Sequence, residues 1–440
     1  MTADPLLDPG FPAHDAVPGA PLRRNGAFVR LWSAATVSVF GSFITRMAIP
    51  LTAILVLGAG PADVAVLRSM ELVAALLFGF VAGAWVDRLR RRPVMIWADL
   101  GRAVVLASVP VAALGGWLTL PHLYVVIAIA AVLTTFFDVA DRAYLPTIVP
   151  REDLVRANGA LTATSASMEF AAFGLSGFLV SLLTAPVAIA LDAISFVVSA
   201  VFVGSIRTKE PPPPPVEDRE PVLHEIAEGI RVVNADAVLR GTVAGTMGLA
   251  AMWGIFGTTW MLLATSVLGL DPAVIGVIAA LGGFGSLAGA LVSERIGGRY
   301  GLGRVMLVAL LFAAVGNLLI PLAPAGAPVL AIVLLIGQQL IGDTAVTVFD
   351  VTQTSVRQAR VPHRQLGRVN ATVRVFAVLA QLAGTIMGGI VGELVGIRGA
   401  AFLAPLFAVI GALCLYLTPA RRLARLMEPV EPERAPADPA

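Results

Sequence analysis

The chain is 440 residues long, 57% hydrophobic and only 14% charged, with a mean hydropathy of +0.85. A typical soluble domain is roughly 25% charged, so a single water-soluble globule is excluded and a polytopic membrane protein is indicated. The formal net charge of +2 says less than the placement of the charges, and a single cysteine, Cys414, excludes an intrachain disulfide.

Residues 1–27 are rich in Pro, Ala and Asp, lack the apolar stretch of a secretory signal, and read as a disordered cytoplasmic tail. Twelve apolar segments follow, each about long enough to cross a bilayer as a helix. They run at about 28–57, 62–86, 94–116, 121–141, 162–183, 186–206, 240–266, 273–293, 304–323, 327–349, 370–394 and 399–418. The cations gather in the connections after the even segments: Arg88 to Arg92, Arg142 with Arg151 and Arg156, Arg207 with Lys209, Arg295 to Arg304, Arg357 to Arg368, and Arg421 to Arg425. Short cationic loops resist translocation, which places both termini on the cytoplasmic side of a cell membrane.

Glu210, Pro211 and the proline run to Pro215 form a polar linker that separates residues 28–206 from 240–418. Within the linker region, 207–239, the stretch Glu225–Val233 has helical spacing and is expected to lie along the membrane surface. Residues 419–440 form a second cytoplasmic tail.

The two halves repeat. Asp138-Val139, Val149-Pro150, Leu154, Arg156 and Asn158 recur 212 residues later as Asp350-Val351, Val361-Pro362, Leu366, Arg368 and Asn370. Gly79 to Val86 recurs as Gly285 to Val292 at an offset of 206, and the slippage is assigned to a longer loop after the eighth segment. Two parallel six-helix repeats related by an axis along the membrane normal are expected.

The stretch Gly83-Ala84-Trp85-Val86-Asp87-Arg88-Leu89-Arg90-Arg91-Arg92 resembles the loop signature of the major facilitator superfamily, between its second and third helices. Trp97 to Ala103, Phe136 to Asp138, Asp192-Ala193-Ile194-Ser195-Phe196 and Leu366 to Ala371 resemble the branch of that superfamily that holds macrolide-efflux proteins and enterobactin exporters. The resemblance implies an all-α fold of twelve transmembrane helices. It also implies a cytoplasmic gate built from Gly83, Asp87, Arg88, Arg91 and Arg92. In the second half Ser293 stands where Asp87 stands in the first, so a gate built on that acid is one-sided unless Glu294 substitutes. The fifth segment has Gly174-Leu175-Ser176-Gly177 in place of the Gly-Pro pair of many antiporters.

An ionisable group near the bilayer centre costs about 2.5–3.5 kcal/mol on insertion scales and faces a cavity or a partner. Arg46 and Glu71, at similar depth in the first two segments, are expected to be either a static bridge or a proton-coupling pair. Glu169, which maps onto Gln381 through the repeat, and Asp343 both lie nearer the cytoplasmic ends of their segments and are the reserve carboxylates for that role. Gln338, Gln339 and Gln381 are candidate cavity residues. Trp253, Phe256 and Trp260, at spacings of three and four, form either an aromatic wall for an amphiphilic substrate or ordinary packing. Gly282, Gly283, Gly285 and Gly289 read as close helix packing.

No P-loop is present, because the only lysine, Lys209, precedes the proline run. His14, His122, His224 and His363 are scattered, so neither a metal cluster nor a histidine-based triad is expected. The family resemblance implies a secondary transporter rather than an enzyme, exporting a bulky amphiphile of the siderophore or macrolide type by proton antiport. It needs no cofactor beyond a proton gradient, and its partners are the small-molecule substrate, protons and the lipid bilayer, with no nucleic acid and no obligate protein partner. An uptake permease of the same fold and a non-transporting receptor or scaffold remain open.

Overall fold

Every regular element of the described chain is helical, as expected where lipid supplies no hydrogen-bond partners to an open backbone. The structure is a computed structural model that describes residues 21–86, 88–208, 210 and 222–424. Asp87, Lys209, the proline run and most of both tails lie outside those residues.

The helices are α1 (Gly26–Leu51), α2 (Pro61–Val86), α3 (Arg91–Leu114), α4 (Leu120–Ile148), α5 (Leu154–Leu183) and α6 (Ala185–Gly204) in the first half. After the linker come α7 (Val222–Ala235), α8 (Ala237–Leu262), α9 (Pro272–Tyr300), α10 (Leu302–Leu322), α11 (Pro328–Arg360) and α12 (His363–Tyr416). Among the described residues ten helices are long and apolar enough to cross a membrane. The 54-residue α12 turns at Gly396 and so supplies two of the twelve apolar segments, while α2 matches the second.

The starts of these helices follow local chemistry. Asn25 caps α1, its side chain accepting from the amides of Ala27 and Phe28 at 3.1 Å. Asp236 does the same for α8 through Val238 and Leu239. Proline stands in the first turn of α4, α6 and α11, where its missing N–H is no loss.

The internal repeat is visible in the backbone. α1 passes into a π turn at Thr52–Val56 and α8 into one at Leu263–Val267. Each is followed by a left-handed glycine, Gly58 at φ 67° and Gly269 at φ 64°, and then by a helix that starts at proline. Glycine reaches positive φ without steric penalty, so the same turn joins α1 to α2 and α8 to α9.

Several expectations are corrected. The six-residue slippage is not a longer loop: α9 stays helical through Ser293–Tyr300, and Gly301 at φ 85° alone makes the turn into α10. Residues 21–27, placed in the tail, form a short helical turn and the cap of α1, and Asn25 donates to the Ile148 carbonyl at 2.7 Å. The charged ends of the spans are also longer than their apolar limits. α4 runs on to Ile148, α5 begins at Leu154, α11 reaches Arg360 and α12 begins at His363. Many arginines assigned to loops therefore sit on helix.

The described residues fall into two compact units. The first lies within Met1–Ala59, Met70–Asp218 and Pro272–Ala280, the second within Gly60–Ser69, Arg219–Asp271 and Leu281–Ala440. In the first unit Phe28, Leu31, Met95, Tyr144, Ile148 and Val203 belong to one buried cluster. In the second, Leu249, Met252, Met306, Leu310 and Phe349 do the same. In both units glycines allow close crossings. Gly177 of α5 meets the backbone of Pro272 and Gly276, and Gly389 and Gly392 of α12 meet Pro61, Ala62 and Ala65.

Helix α7 docks on the start of α12. Its Glu228 pairs with Arg368, and Gly229 sits against Thr372 and the Arg368 backbone. Val233 joins Leu239, Val361, Val369 and Val373 in one apolar cluster.

Candidate functional site

In the second unit the polar side chains of α11 meet the glycine face of α9. A Cβ at Gly282 would run into Asp343 Oδ2 and Gln339 Nε2, and one at Gly285 or Gly289 into the α11 backbone. The glycines thus bring α9 directly onto the Gln339–Asp343 turn. Gln338 and Gln339 are buried, Asp343 is half-buried, and Gln338 Oε1 has no hydrogen-bond partner. Asp343 stands at the middle of the 33-residue α11 rather than toward one end, because that helix extends eleven residues past its apolar segment. Glu169 moves in the same way to the middle of the 30-residue α5, where it is exposed.

On α8 the three aromatics form a ladder. The rings of Trp253 and Phe256 meet edge-on at 4.7 Å between centroids, and those of Phe256 and Trp260 lie at 5.7 Å with 28° between planes. Trp260 is buried and its indole N–H lacks a partner, while Trp253 packs beside the core of this unit. Gln381 is half-buried on α12, and its carbonyl lies against Gly254 of α8.

In the first unit the charged connection after α2 behaves as a set of helix caps. Glu210 accepts from the backbone N–H of Arg91 at 2.6 Å and of Arg92 at 3.3 Å, and from the Arg91 side chain at 3.4 Å. A carboxylate is favoured at the start of α3 by the helix dipole. Arg92 in turn donates to the carbonyls of Val203 and Gly204 at the end of α6. Gly83 is half-buried with open space where a Cβ would stand, and Arg88 is exposed.

Arg46 is exposed on α1, its guanidinium over the Phe43 ring at 5.1 Å, while Glu71 is half-buried on α2. The sequence reading passed over Arg68, one turn before Glu71 on α2. It also passed over a deeper group. Asp99 and Arg102 of α3 form a fully buried ion pair, and Asp192 of α6 is buried nearby with Ser195 donating to it at 3.0 Å. Both stretches figured only as marks of family likeness. The available signal was an acid within an apolar span, together with an Asp and an Arg at a spacing of three.

A polytopic helical protein made of two repeats, with polar and charged side chains held inside long apolar helices, belongs to the class of membrane transporters. The sequence matches the Major Facilitator Superfamily over residues 31–358 and 242–439, and the chain belongs to that superfamily. It is similar to an uncharacterized MFS-type transporter, YfiS, of Bacillus subtilis, 26% identical over 390 residues that cover 86% of this chain and 89% of the relative. It is also similar to macrolide efflux protein A of Streptococcus pyogenes, 26% identical over 255 residues, 56% of this chain and 58% of that protein. The fold resembles that of nucleoside transporter NupG with a TM-score of 0.70 at 14% identity, covering 89% of this chain and 98% of that one.

The protein is thus a multi-pass membrane transporter of the MFS type, not an enzyme, and its substrate is a small molecule.

Proposed function

We propose that this transporter exports a bulky amphiphilic small molecule, of the macrolide or multidrug type or a siderophore, in exchange for protons. The observation that carries the reading is the aromatic ladder of Trp253, Phe256 and Trp260 on α8. Stacked rings give a large apolar surface, and the Trp260 N–H retains an unused donor, which suits a ligand with both apolar and polar parts. The similarity to macrolide efflux protein A over 56% of the chain supports the same class. The protein resides in the cell membrane with both termini cytoplasmic, since the arginine-rich connections all fall on one side by the positive-inside rule.

Export against a gradient needs a group that alternates in proton occupancy. Glu71 with Arg46 takes this role, with Glu169 and Asp343 in reserve, and all three acids lie within long helices. Gly83, Asp87, Arg88, Arg91 and Arg92 form the cytoplasmic gate, and Gln338, Gln339 and Gln381 line the cavity with the two tryptophans. The bundles of residues 28–206 and 240–418 alternate access between them.

The test uses inverted vesicles carrying the full-length protein, an imposed pH gradient and radiolabelled erythromycin. Erythromycin accumulates in a gradient-dependent way that a protonophore abolishes, and Trp260→Ala raises its KM. Absence of gradient-linked accumulation of erythromycin and of an amphiphilic cationic dye would refute the reading. Accumulation confined to right-side-out vesicles would establish uptake instead.

A further inference from the structure

Three polar stripes meet in the interior of the first unit. On α6, Asp192, Ser195 and Ser199 stand at spacings of three and four, hence on one face. On α1, Ser38, Gly41 and Thr45 repeat the same spacing, and on α3 Asp99 and Arg102 are one turn apart. Helix α6 packs against both α1 and α3. The seam spans about 10 Å along the helices and is sealed, with Asp99 and Ser199 at 0% exposure, Asp192 at 1% and Arg102 at 3%.

The contacts within the seam are specific. A Cβ at Gly41 would overlap Asp192 Oδ1 and Ser195 Oγ, so α1 seats directly on the acid through the one position that lacks a side chain. The Thr45 hydroxyl lies beside Asp192, and that of Ser199 beside Asp99. Arg102 pairs with Asp99, donates to Thr134 Oγ1 of α4 at 3.4 Å, and is clasped between the rings of Phe137 at 4.4 Å and Phe196 at 4.0 Å. Thr45 Oγ1, Asp99 Oδ2, Arg102 Nε and Ser199 Oγ, all at least nine-tenths buried, complete no hydrogen bond. Buried polar atoms are rarely left so, and this interior has acceptors and donors to spare for a proton or a water.

Charge balance assigns the proton. The charged groups that face Asp192 are Arg102 and Asp99 of α3, and Asp141 of α4 faces Asp99 in turn. α1 faces it with hydroxyls and carries Arg46 exposed, over the Phe43 ring, and α5, also packed on α6, carries its mid-helix acid Glu169 exposed. Asp141 has Arg142 beside it, so Asp192 and Asp99 share the single guanidinium of Arg102 and one negative charge is left uncompensated, which an apolar interior penalises by several kcal/mol. A single proton removes it. Asp99 already has its ion partner, whereas Asp192 accepts only from the Ser195 hydroxyl, with that of Thr45 beside it.

We propose that the α1–α3–α6 seam is a second proton-binding site, additional to Glu71 with Arg46, with Asp192 as its carboxyl, and that lifting α1 from α6 at Gly41 admits water and exchanges the proton. The proposal rests on the proton-antiport reading, in which a carboxyl must load and unload as helices move. No covalent chemistry is involved: the proton passes between the Asp192 carboxyl and water.

The test is infrared difference spectroscopy of the purified full-length protein in lipid nanodiscs, in H2O and D2O, with pH as the variable. The wild type shows a carboxylic-acid C=O band that shifts in D2O and bleaches as pH is raised. Asp192→Asn loses that component, and Ser195→Ala shifts its frequency by removing the 3.0 Å hydrogen bond. Gly41→Ala, which keeps α1 from seating, speeds its exchange into D2O several-fold. A full band in Asp192→Asn overturns the proposal, and so does a wild-type band indifferent to pH, the mark of a purely structural acid. If Asp192→Asn fails to fold, an unshifted band in Ser195→Ala overturns it equally. The spectra need no substrate, so a pH-responsive Asp192 band with no erythromycin transport supports the site while the export reading fails. Erythromycin export with a full Asp192→Asn band does the reverse.

Discussion

Gly254 offers the sharpest test of the packing. It lies where α8 crosses α12, and a Cβ there would overlap the Gln381 carbonyl, stand 2.6 Å from the Thr385 amide nitrogen and 3.0 Å from the Gly384 carbonyl carbon. All three are backbone atoms, so no side chain can swing aside and the helices must part. Overpacking of this kind costs about 1–3 kcal/mol. The crossing also holds Thr258 Oγ1 donating to the Thr385 carbonyl at 3.3 Å and Thr385 Oγ1 donating to the Gly254 carbonyl at 3.4 Å. Such bonds between membrane helices average about 0.6 kcal/mol each. Alanine regains about 1 kcal/mol of helix propensity, leaving a net loss of about 1–3 kcal/mol. At about 2–4 °C per kcal/mol for a large domain, Gly254→Ala should melt about 2–12 °C below the wild type.

The single cysteine provides the assay. Cys414 is partly buried, and a thiol-reactive fluorophore reports its exposure as the purified protein is heated in detergent. The control is Gly159→Ala on α5, an exposed helical glycine with nothing within 4 Å of its missing Cβ. That variant should gain up to about 1 kcal/mol by propensity alone and melt slightly higher. Equal melting of Gly254→Ala and wild type would refute the backbone contact, and a loss in Gly159→Ala would refute the argument from open space.

Asp236 should show two separable effects, because it caps α8 and also accepts from Arg360 Nε at 2.7 Å. Asp236→Asn keeps the cap and should melt closer to wild type than Asp236→Ala, which loses about 1 kcal/mol more; equal melting of the two would remove the cap from the account. Glu228→Lys replaces the partner of Arg368 with a like charge, so α7 should loosen from α12 and be cleaved several-fold faster in limited proteolysis. An unchanged cleavage rate would show that the valine cluster alone holds α7.

The spans were legible because a backbone in lipid must satisfy its hydrogen bonds internally, and a long apolar run leaves few alternatives to a helix. Their charged ends were not, since charge ends contact with lipid without ending i to i−4 hydrogen bonding. The arginines of 357–368 mark where a membrane stops, yet α11 continues to Arg360 and α12 resumes at His363. That error carried Glu169 and Asp343 toward helix ends when both stand at mid-helix. Gly282, Gly285 and Gly289 of α9 pack closely on α11 as their spacing predicts, because a helix that omits side chains on one face leaves few other reasons for doing so. The Asp99–Arg102–Asp192 group shows the opposite limit. Each stripe is written in the sequence at helical spacing, but spacing identifies a face and not the helix it meets. Asp192 acquires meaning from Gly41, 151 residues away, whose missing side chain makes room for it. An acid and an absence are complementary only once α1 and α6 are laid side by side, so the residue that most changes the reading of this chain is one that contributes no side chain to the site.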